Sequence, residues 1–165
     1  MTKSITSCII GVLGEIFGQY FKSIVQRTCF TLSLRRLIVF GLYGLVVTGP
    51  VLHLWYGLLE RVVSRLLDNS RLWKLKTLFK LAIDRLLFGP PFVFLTVVFL
   101  QFLQTLSTHR TIEYIRRSYF AVLVMNQKVW TIAQAINFAV IPVDLQVLFV
   151  NAVAIGWNTY LSLAN

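Results

Sequence analysis

Two sets of polar side chains interrupt stretches of this sequence that are otherwise apolar. Glu15 and Gln19 are four residues apart, so they share one face of a helix. A second set follows at spacings of three, four and three residues, which also places its members on one helix face. Its members are Gln127, Trp130, Gln134 and Asn137. Polar groups inside an apolar helix are costly, so they are the first candidates for a functional role.

The surroundings of each set suggest what it could do. The second set predicts either the wall of a water-filled path or a row of hydrogen bonds between helices, and the sequence leaves both interpretations open. Beside the first set, Gly11, Gly14 and Gly18 share the face of Glu15 and allow another helix to approach closely. We expect Glu15 to face the interior of a bundle and to find its partner in residues 118–143, with basic residues at span ends as other donors. The candidate donors in that segment are Lys128, Gln134 and Asn137.

Chemistry that depends on clustered reactive groups is missing from the sequence. His53 and His109 are isolated, and Cys8 and Cys29 are too few for a disulfide framework or a zinc site. The sequence holds no phosphate-binding glycine loop, dinucleotide-binding motif or nucleophile elbow. We therefore expect a protein that is not an enzyme and that holds no metal and no cofactor.

The composition predicts a membrane protein. Hydrophobic residues make up 57% of the 165 residues, charged residues make up 13%, and the mean hydropathy is +0.74. Soluble domains are about 45–50% apolar and about 25% charged, so this chain has too little polar surface for a soluble monomer. The net charge of +10 suits contact with anionic lipid headgroups. We do not expect nucleic-acid binding, because such an apolar chain has no soluble domain that could bind nucleic acid. We expect one integral-membrane domain over residues 1–165.

Long segments with few or no charges mark the expected membrane spans. A span needs about 20 mostly apolar residues. We expect four spans, at residues 4–21, 37–59, 86–108 and 118–143. The tail from Leu145 is either a fifth C-terminal helix or the second limb of a broken fourth, because Pro142 removes a backbone donor. The predicted fold is an all-α, polytopic transmembrane helical bundle.

Basic residues are most numerous over residues 60–85. Apolar residues recur there at spacings of three and four, which is typical of an amphipathic helix lying in the membrane interface; a solvated connector is the alternative. This pattern consists of Leu72, Leu75, Phe79, Ala82 and Leu86. We expect the basic side chains of the segment to contact lipid headgroups. They are Arg61, Arg65, Arg71, Lys74, Lys76 and Lys80.

Two further features concern the position of the chain in a membrane. The basic residues divide almost evenly between the two sides of the predicted spans, so they do not predict an orientation. Aromatic residues near span ends are typical of interfacial anchors. The candidates are Trp55, Tyr56, Trp157 and Tyr160.

A series of short motifs resembles a known family. Residues 49–56 read G-P-x-x-H-x-W-Y, residues 80–90 read K-x-x-x-D-x-x-x-x-x-P, and residues 157–162 read W-x-x-Y-L-S. In order and spacing the chain resembles the Mpv17/Sym1 family of mitochondrial and peroxisomal membrane proteins. The residues that carry the resemblance are Gly49, Pro50, His53, Trp55, Tyr56, Lys80, Asp84, Pro90, Trp130, Gln134, Asn137, Phe138, Pro142, Trp157, Tyr160 and Ser162.

The resemblance implies a four-span helical protein of the mitochondrial inner membrane or, as the alternative, of the peroxisomal membrane. Members of the family are described as non-selective pores or as proteins of mitochondrial maintenance, and no catalytic residue carries over from them. The chain departs from the family pattern at Arg85, Thr131 and Gln146, so we expect a divergent and trimmed member.

Two functions follow from the resemblance and from the residues together. We expect a structural or accessory subunit of a larger mitochondrial inner-membrane assembly, such as a respiratory complex or the ATP synthase. Its expected partners are cardiolipin and other membrane subunits. The alternative is a non-selective pore for small solutes, lined by the polar face of Gln127, Trp130, Gln134 and Asn137.

Overall fold

The structure, a computed structural model, describes residues 2–66, 73–141 and 143–164. Within these residues the α-helices are α1 (Thr2–Gln26), α2 (Leu34–Leu42), α3 (Gly49–Leu66), α4 (Trp73–Ile83), α5 (Gly89–Thr105), α6 (Thr108–Ala139) and α7 (Val143–Ala164). Two π-helical segments, Tyr43–Thr48 and Asp84–Phe88, join α2 to α3 and α4 to α5 without a break. The described part of the chain therefore forms five helical rods and contains no strand.

Three of the described rods contain helices that are long and apolar enough to cross a membrane, namely Ser4–Gln26, Leu34–Leu66 and Leu78–Thr105. The predicted spans 4–21 and 37–59 fall inside the first two. The predicted span 86–108 is wrong at its end, because the chain leaves the helix at Leu106, whose φ of 51° is left-handed. Ser107 then caps α6 by accepting a 3.5 Å hydrogen bond from the backbone N–H of Arg110.

The C-terminal part of the chain forms two helices. The predicted fourth span, 118–143, overlaps α6 as far as Ala139, and the helix then ends in a turn at Val140. α6 is not among the three candidate spans of the described residues, so a fourth span stays a prediction. α7 begins at Val143, which agrees with a break near Pro142, although Pro142 itself lies outside the described residues. α7 packs mainly against α1 and less extensively against α6. The tail is therefore a distinct C-terminal helix.

The amphipathic segment expected at residues 72–86 is not a separate element. α4 continues through Asp84–Phe88 into α5, so it forms the first turns of the rod that holds the third candidate span. Leu72 lies outside the described residues. The position of α4 relative to a membrane interface stays a prediction.

Both π-helical segments are followed directly by a Gly-Pro pair, Gly49-Pro50 and Gly89-Pro90. A proline inside a helix clashes with the carbonyl four residues earlier and offers it no N–H. In both rods the preceding turn is widened: the glycine N–H bonds to the carbonyl five residues back, at Gly44 and at Asp84. The helices therefore continue through the prolines, and each carries one widened turn.

A buried ion pair joins α1, α2 and α7. The Glu15 side chain has no exposed surface, and its Oε1 lies 2.7 Å from Nε of Arg36 on α2. Arg36 also donates to Ser162 of α7, at 2.7 Å to the carbonyl and 3.0 Å to Oγ. Gln19 donates to Glu15 Oε1 at 2.8 Å and accepts from the Ser33 backbone N–H at 2.7 Å.

The structure confirms that Glu15 faces the bundle, but the expected partner was wrong. We expected a donor from residues 118–143, yet Lys128 is exposed. Because α1 packs against α2 and α7, the side chain that reaches the carboxylate is Arg36 rather than a residue of α6.

The glycines beside Glu15 allow the close approach that their spacing predicted. A Cβ added to Gly14 would collide with Asn158, and one added to Gly18 would collide with Ser162, both on α7. A Cβ added to Gly11 would lie 2.5 Å from a carbonyl oxygen of α2. Helices of the same chain therefore occupy this small-residue face.

We predict that Glu15→Leu destabilises the protein by about 3–5 kcal/mol, because it leaves the Arg36 guanidinium without its buried counter-charge. Glu15→Gln should cost less, since the amide oxygen still accepts hydrogen bonds. The double variant Glu15→Leu/Arg36→Leu should cost less than the sum of the two single variants. Thermal unfolding in detergent measures these differences. Strictly additive losses would show that the two charges are not coupled.

We also predict opposite effects for two glycine-to-alanine changes that involve α7. Gly14→Ala should lower the melting temperature, because its methyl group would press on Asn158 and lie 3.0 Å from the Ile155 carbonyl oxygen. Gly156→Ala on α7 is the matched control, since its Cβ would meet no atom within 4 Å. It should leave stability unchanged or raise it by about 0.5–1 kcal/mol. Equal melting temperatures for the two variants would contradict the tight α1–α7 contact.

Candidate functional site

A cavity of about 200 Å³ lies where the five rods meet, and each rod contributes to its wall. Both widened π turns border it, through Thr48 in the first and Phe88 in the second. Small residues on three different rods leave room for it: Gly11, Gly44 and Ala154. The cavity therefore arises from the arrangement of the whole bundle.

Most of the cavity wall is apolar, and uncharged polar groups form the smaller part of it. The hydroxyl groups of Tyr43 and Thr96 form a 2.7 Å hydrogen bond to each other, and Thr96 donates at 2.9 Å to the Phe92 carbonyl. Four carboxamides from α6 and α7 also line the cavity, and two of them are buried. They are Asn126, Gln134, Asn151 and Asn158. These groups can donate and accept hydrogen bonds without carrying charge.

The Gln134 side chain leaves one polar atom of this wall unsatisfied. Its Oε1 is buried and has no hydrogen-bond partner among the described residues. A buried carbonyl oxygen without a partner costs about 1–3 kcal/mol. The cavity of about 200 Å³ beside Gln134 is far larger than the roughly 10–15 Å³ that one water molecule needs, so it can hold water next to this residue.

The charged groups at the cavity form a compact cluster around Asp84. Arg85, which lines the cavity, pairs with the Asp84 carboxylate through two of its nitrogens. Trp55 of α3 donates its indole N–H to the same carboxylate at 2.7 Å. Gln127 of α6 donates to the Arg85 carbonyl at 2.7 Å. The cluster ties the second widened turn to α3 and α6, and the pairing leaves it without net charge.

Aromatic stacking extends this cluster along the rod. The Trp55 ring lies parallel to Phe88 with centroids 4.4 Å apart, and Phe88 stacks on Phe92 at 5.1 Å. Trp55 is half-buried between these groups. Its expected role as an interfacial anchor was wrong, because both its ring and its N–H are used inside the bundle.

The structure separates the two polar sets. Trp130 and Gln134 line the cavity, and Gln127 contacts its edge at Gly89 and Arg85. Glu15 and Gln19 lie away from it, in the ion-pair network with Arg36. The side chain of Asn137 is outside the described residues.

Other motif residues have structural contacts. Gly49 lies against Ser4 of α1, and Pro90 accepts a 3.0 Å hydrogen bond from the Tyr119 hydroxyl. Trp157 is buried at the cavity and stacks with Tyr160 at 5.2 Å, so the expected role of Trp157 as an interfacial anchor was also wrong.

The remaining motif residues occupy varied positions. Tyr56 lines the cavity while remaining partly exposed, Ser162 is buried against Arg36, and His53 is exposed. Lys80 and Pro50 are half-buried, and the Phe138 side chain and Pro142 lie outside what the structure describes.

The basic residues predicted to contact lipid headgroups lie outside the cavity wall. Arg61 and Arg65 are exposed, and Arg61 donates to the Gly57 carbonyl at 2.9 Å. Lys76 is half-buried, and no structure is described for Arg71 or for the Lys74 side chain. A contact between these residues and lipid stays a prediction.

Three cavity carboxamides were missed by the sequence analysis. Asn151 and Asn158 are seven residues apart, which puts them on one face of α7 and was a usable signal. Asn126 directly precedes the predicted set and is buried at the cavity. Together with Gln134, the one carboxamide of the predicted face in the cavity lining, they make the four carboxamides of the wall.

The comparisons with known proteins agree with the motifs. A sequence profile of the Mpv17 / PMP22 family matches residues 101–162. The mitochondrial inner membrane protein Mpv17 of Drosophila melanogaster is 34% identical over 92% of this chain and 86% of its own length. Peroxisomal membrane protein 2 of Bos taurus is 34% identical over 98% of this chain and 81% of its own length.

Fungal relatives extend the match. Protein SYM1 of Gibberella zeae is 33% identical over 100% of this chain and 89% of its own length. No solved structure matches significantly. Since these relatives are aligned over most of both chains, this protein belongs to the Mpv17/PMP22 family of membrane proteins.

Proposed function

We propose that this protein is a non-enzymatic pore for small polar solutes. The observation that carries the proposal is the unpartnered oxygen of Gln134, a residue that lines the cavity together with three other carboxamides. Buried polar atoms in a bundle are normally satisfied, so an unsatisfied one next to an open space points to a transient partner. Water and solute molecules passing the wall would supply it.

The chemistry of the wall favours solutes that form hydrogen bonds. Its amide and hydroxyl groups offer both donors and acceptors, and the charge of the lining residue Arg85 is paired with Asp84. No fixed charge of one sign is therefore presented to a solute by the described residues. Such a wall would discriminate weakly between small polar molecules, as a non-selective pore requires.

The names of the relatives suggest two membranes in which the pore would act. One relative is named for the mitochondrial inner membrane and another for the peroxisomal membrane. We propose the mitochondrial inner membrane as the location of this chain, with the peroxisomal membrane as the alternative.

An accessory-subunit role is the second candidate, with cardiolipin and other membrane subunits as partners. It is supported by a row of exposed apolar side chains on α1, Ile5, Ile9, Leu13 and Phe17, which another subunit or lipid would cover. The glycine face of the same helix offers less support, because helices of this chain occupy it. A native gel of gently solubilised membranes tests the role: migration within a large assembly favours it, and migration alone counts against it.

We predict that Gln134→Leu reduces solute flux in proteoliposomes containing the purified protein. Losing the carbonyl oxygen removes a hydrogen-bonding site worth about 1 kcal/mol, so flux of a small neutral solute should fall about fivefold. Gln104→Leu is the matched control: Gln104 also carries a buried side-chain atom without a partner among the described residues, but it does not line the cavity. The solute flux of the Gln104→Leu variant should differ from that of the parent protein by less than about twofold.

Flux through the parent protein no higher than through empty liposomes would rule the pore out. Equal losses in the two variants would show that the cavity is not the path.

A second prediction concerns the width of the path. Ala154→Phe should block flux, because this half-buried α7 residue lines the cavity and a phenyl ring would fill much of it. Ala152→Phe, on the exposed side of the same helix, should leave flux at the parent level. Folding of both variants is checked by their melting temperatures. Undiminished flux in a folded Ala154→Phe protein would place the path elsewhere.

A further inference from the structure

A second pocket, of about 230 Å³, lies between the end of α1 and the start of α2, outside the central cavity. Its wall includes two basic side chains, Lys22 and Arg36, and the hydroxyl-bearing residues Ser23, Thr28 and Thr31. No carboxylate belongs to the lining, and the sequence holds no acidic residue between positions 16 and 59. The pocket is therefore suited to an anion.

The loop that closes this pocket is held in place by specific contacts. Gln19 and Ser33 exchange hydrogen bonds, with Gln19 accepting from the Ser33 N–H at 2.7 Å and donating to its carbonyl at 3.3 Å. The Phe30 ring meets Tyr20 of α1 edge-on, with centroids 6.0 Å apart. The pocket is thus built into the fold, and a ligand would not have to order it.

The two cations of the pocket differ in availability. Arg36 is engaged by Glu15 and Ser162, as described above. The half-buried Lys22 ammonium, in contrast, has no hydrogen bond or ion pair to any described residue. Arg27 and Arg35 lie exposed in the adjoining sequence and add to the positive potential. Lys22 is therefore the group with a free charge to offer a ligand.

The position of the pocket indicates a ligand that is apolar at one end. It lies where the candidate span Ser4–Gln26 ends and the candidate span Leu34–Leu66 begins. If both helices cross the membrane, the pocket is at the level of the lipid headgroups. Beside the lining residues stand exposed apolar side chains, Phe21, Ile24 and Val25, the last of them 80% exposed. A polar, basic pocket next to an apolar surface matches the two halves of a phospholipid.

We propose that this pocket binds the phosphate group of an anionic phospholipid, with Lys22 as its main charged contact and the acyl chains along the apolar side of α1. Thr28 and Thr31 line the pocket, and their hydroxyl groups would donate to phosphate oxygens, whereas the Ser23 hydroxyl donates to the Tyr20 carbonyl at 2.7 Å. The site is separate from the central cavity and does not depend on the pore function. It is also distinct from the basic segment at residues 61–80.

The test is native mass spectrometry of the full chain in a neutral detergent, titrated in turn with phosphatidylglycerol, phosphatidylcholine and inorganic phosphate. We expect phosphatidylglycerol to bind about fivefold more tightly than phosphatidylcholine, as one net charge at a basic site implies. Inorganic phosphate, which lacks acyl chains, should bind much more weakly than either lipid.

Variants then locate the site. Lys22→Gln should weaken phosphatidylglycerol binding about tenfold, and Lys22→Arg should retain it. Arg110→Gln is the matched control, because it removes the same charge from an exposed residue at the start of α6 outside the pocket. Melting temperatures without added lipid confirm that each variant is folded.

Three results would overturn the proposal. Equal affinity for the two lipids would show that headgroup charge is not recognised, and equal affinity for inorganic phosphate would show a simple anion site. Unchanged lipid binding by a folded Lys22→Gln protein would place the lipid elsewhere. Should Lys22→Gln fail to fold, Ser23→Asp replaces it, since a carboxylate in the pocket should repel the same lipid.

Discussion

The charge of Glu15 has to be neutralised inside the bundle, because its side chain has no exposed surface. A single arginine of α2 does this while also binding Ser162 of α7, so three helices are held in one register. The glycines of α1 are part of the same arrangement, since any side chain at Gly18 would collide with Ser162. Breaking a buried pair costs about 3–5 kcal/mol, which is a large share of the roughly 5–15 kcal/mol that stabilises a domain.

The cavity depends on this register and on the two proline-containing rods. Each Gly-Pro pair is preceded by a widened turn, and both turns border the cavity. Asp84 stands at the start of the second turn, where Trp55 and Arg85 hold its carboxylate. Because of the widened turns, the residues at and after each turn are rotated relative to their positions in a regular α-helix. The position of the polar groups in the cavity wall therefore depends on these turns.

Much of the fold follows from the sequence, because charge-free segments of span length have few alternatives to crossing a membrane. The end of α5 before Leu106 could not be predicted from the sequence. Leu106 has a left-handed backbone conformation, and a hydropathy pattern does not show backbone conformation. That Glu15 faces inward follows from the cost of exposing a carboxylate to lipid, whereas its pairing with Arg36 depends on which helices are neighbours.

At the cavity, Trp130 and Gln134 could be predicted as lining residues from their spacing along one helix face. Trp55 and Trp157 were misassigned because an aromatic residue near a span end has the same pattern whether it faces headgroups or a bundle.

Glu15 and Arg36 are close along the chain, whereas Ser162 follows Arg36 by 126 residues. During synthesis, the first two helices therefore leave the ribosome long before the last one. These two helices already contain both members of the ion pair, so the carboxylate can be neutralised before α7 is in place. α7 adds the Ser162 hydroxyl and carbonyl to this pair, and neither group carries a charge.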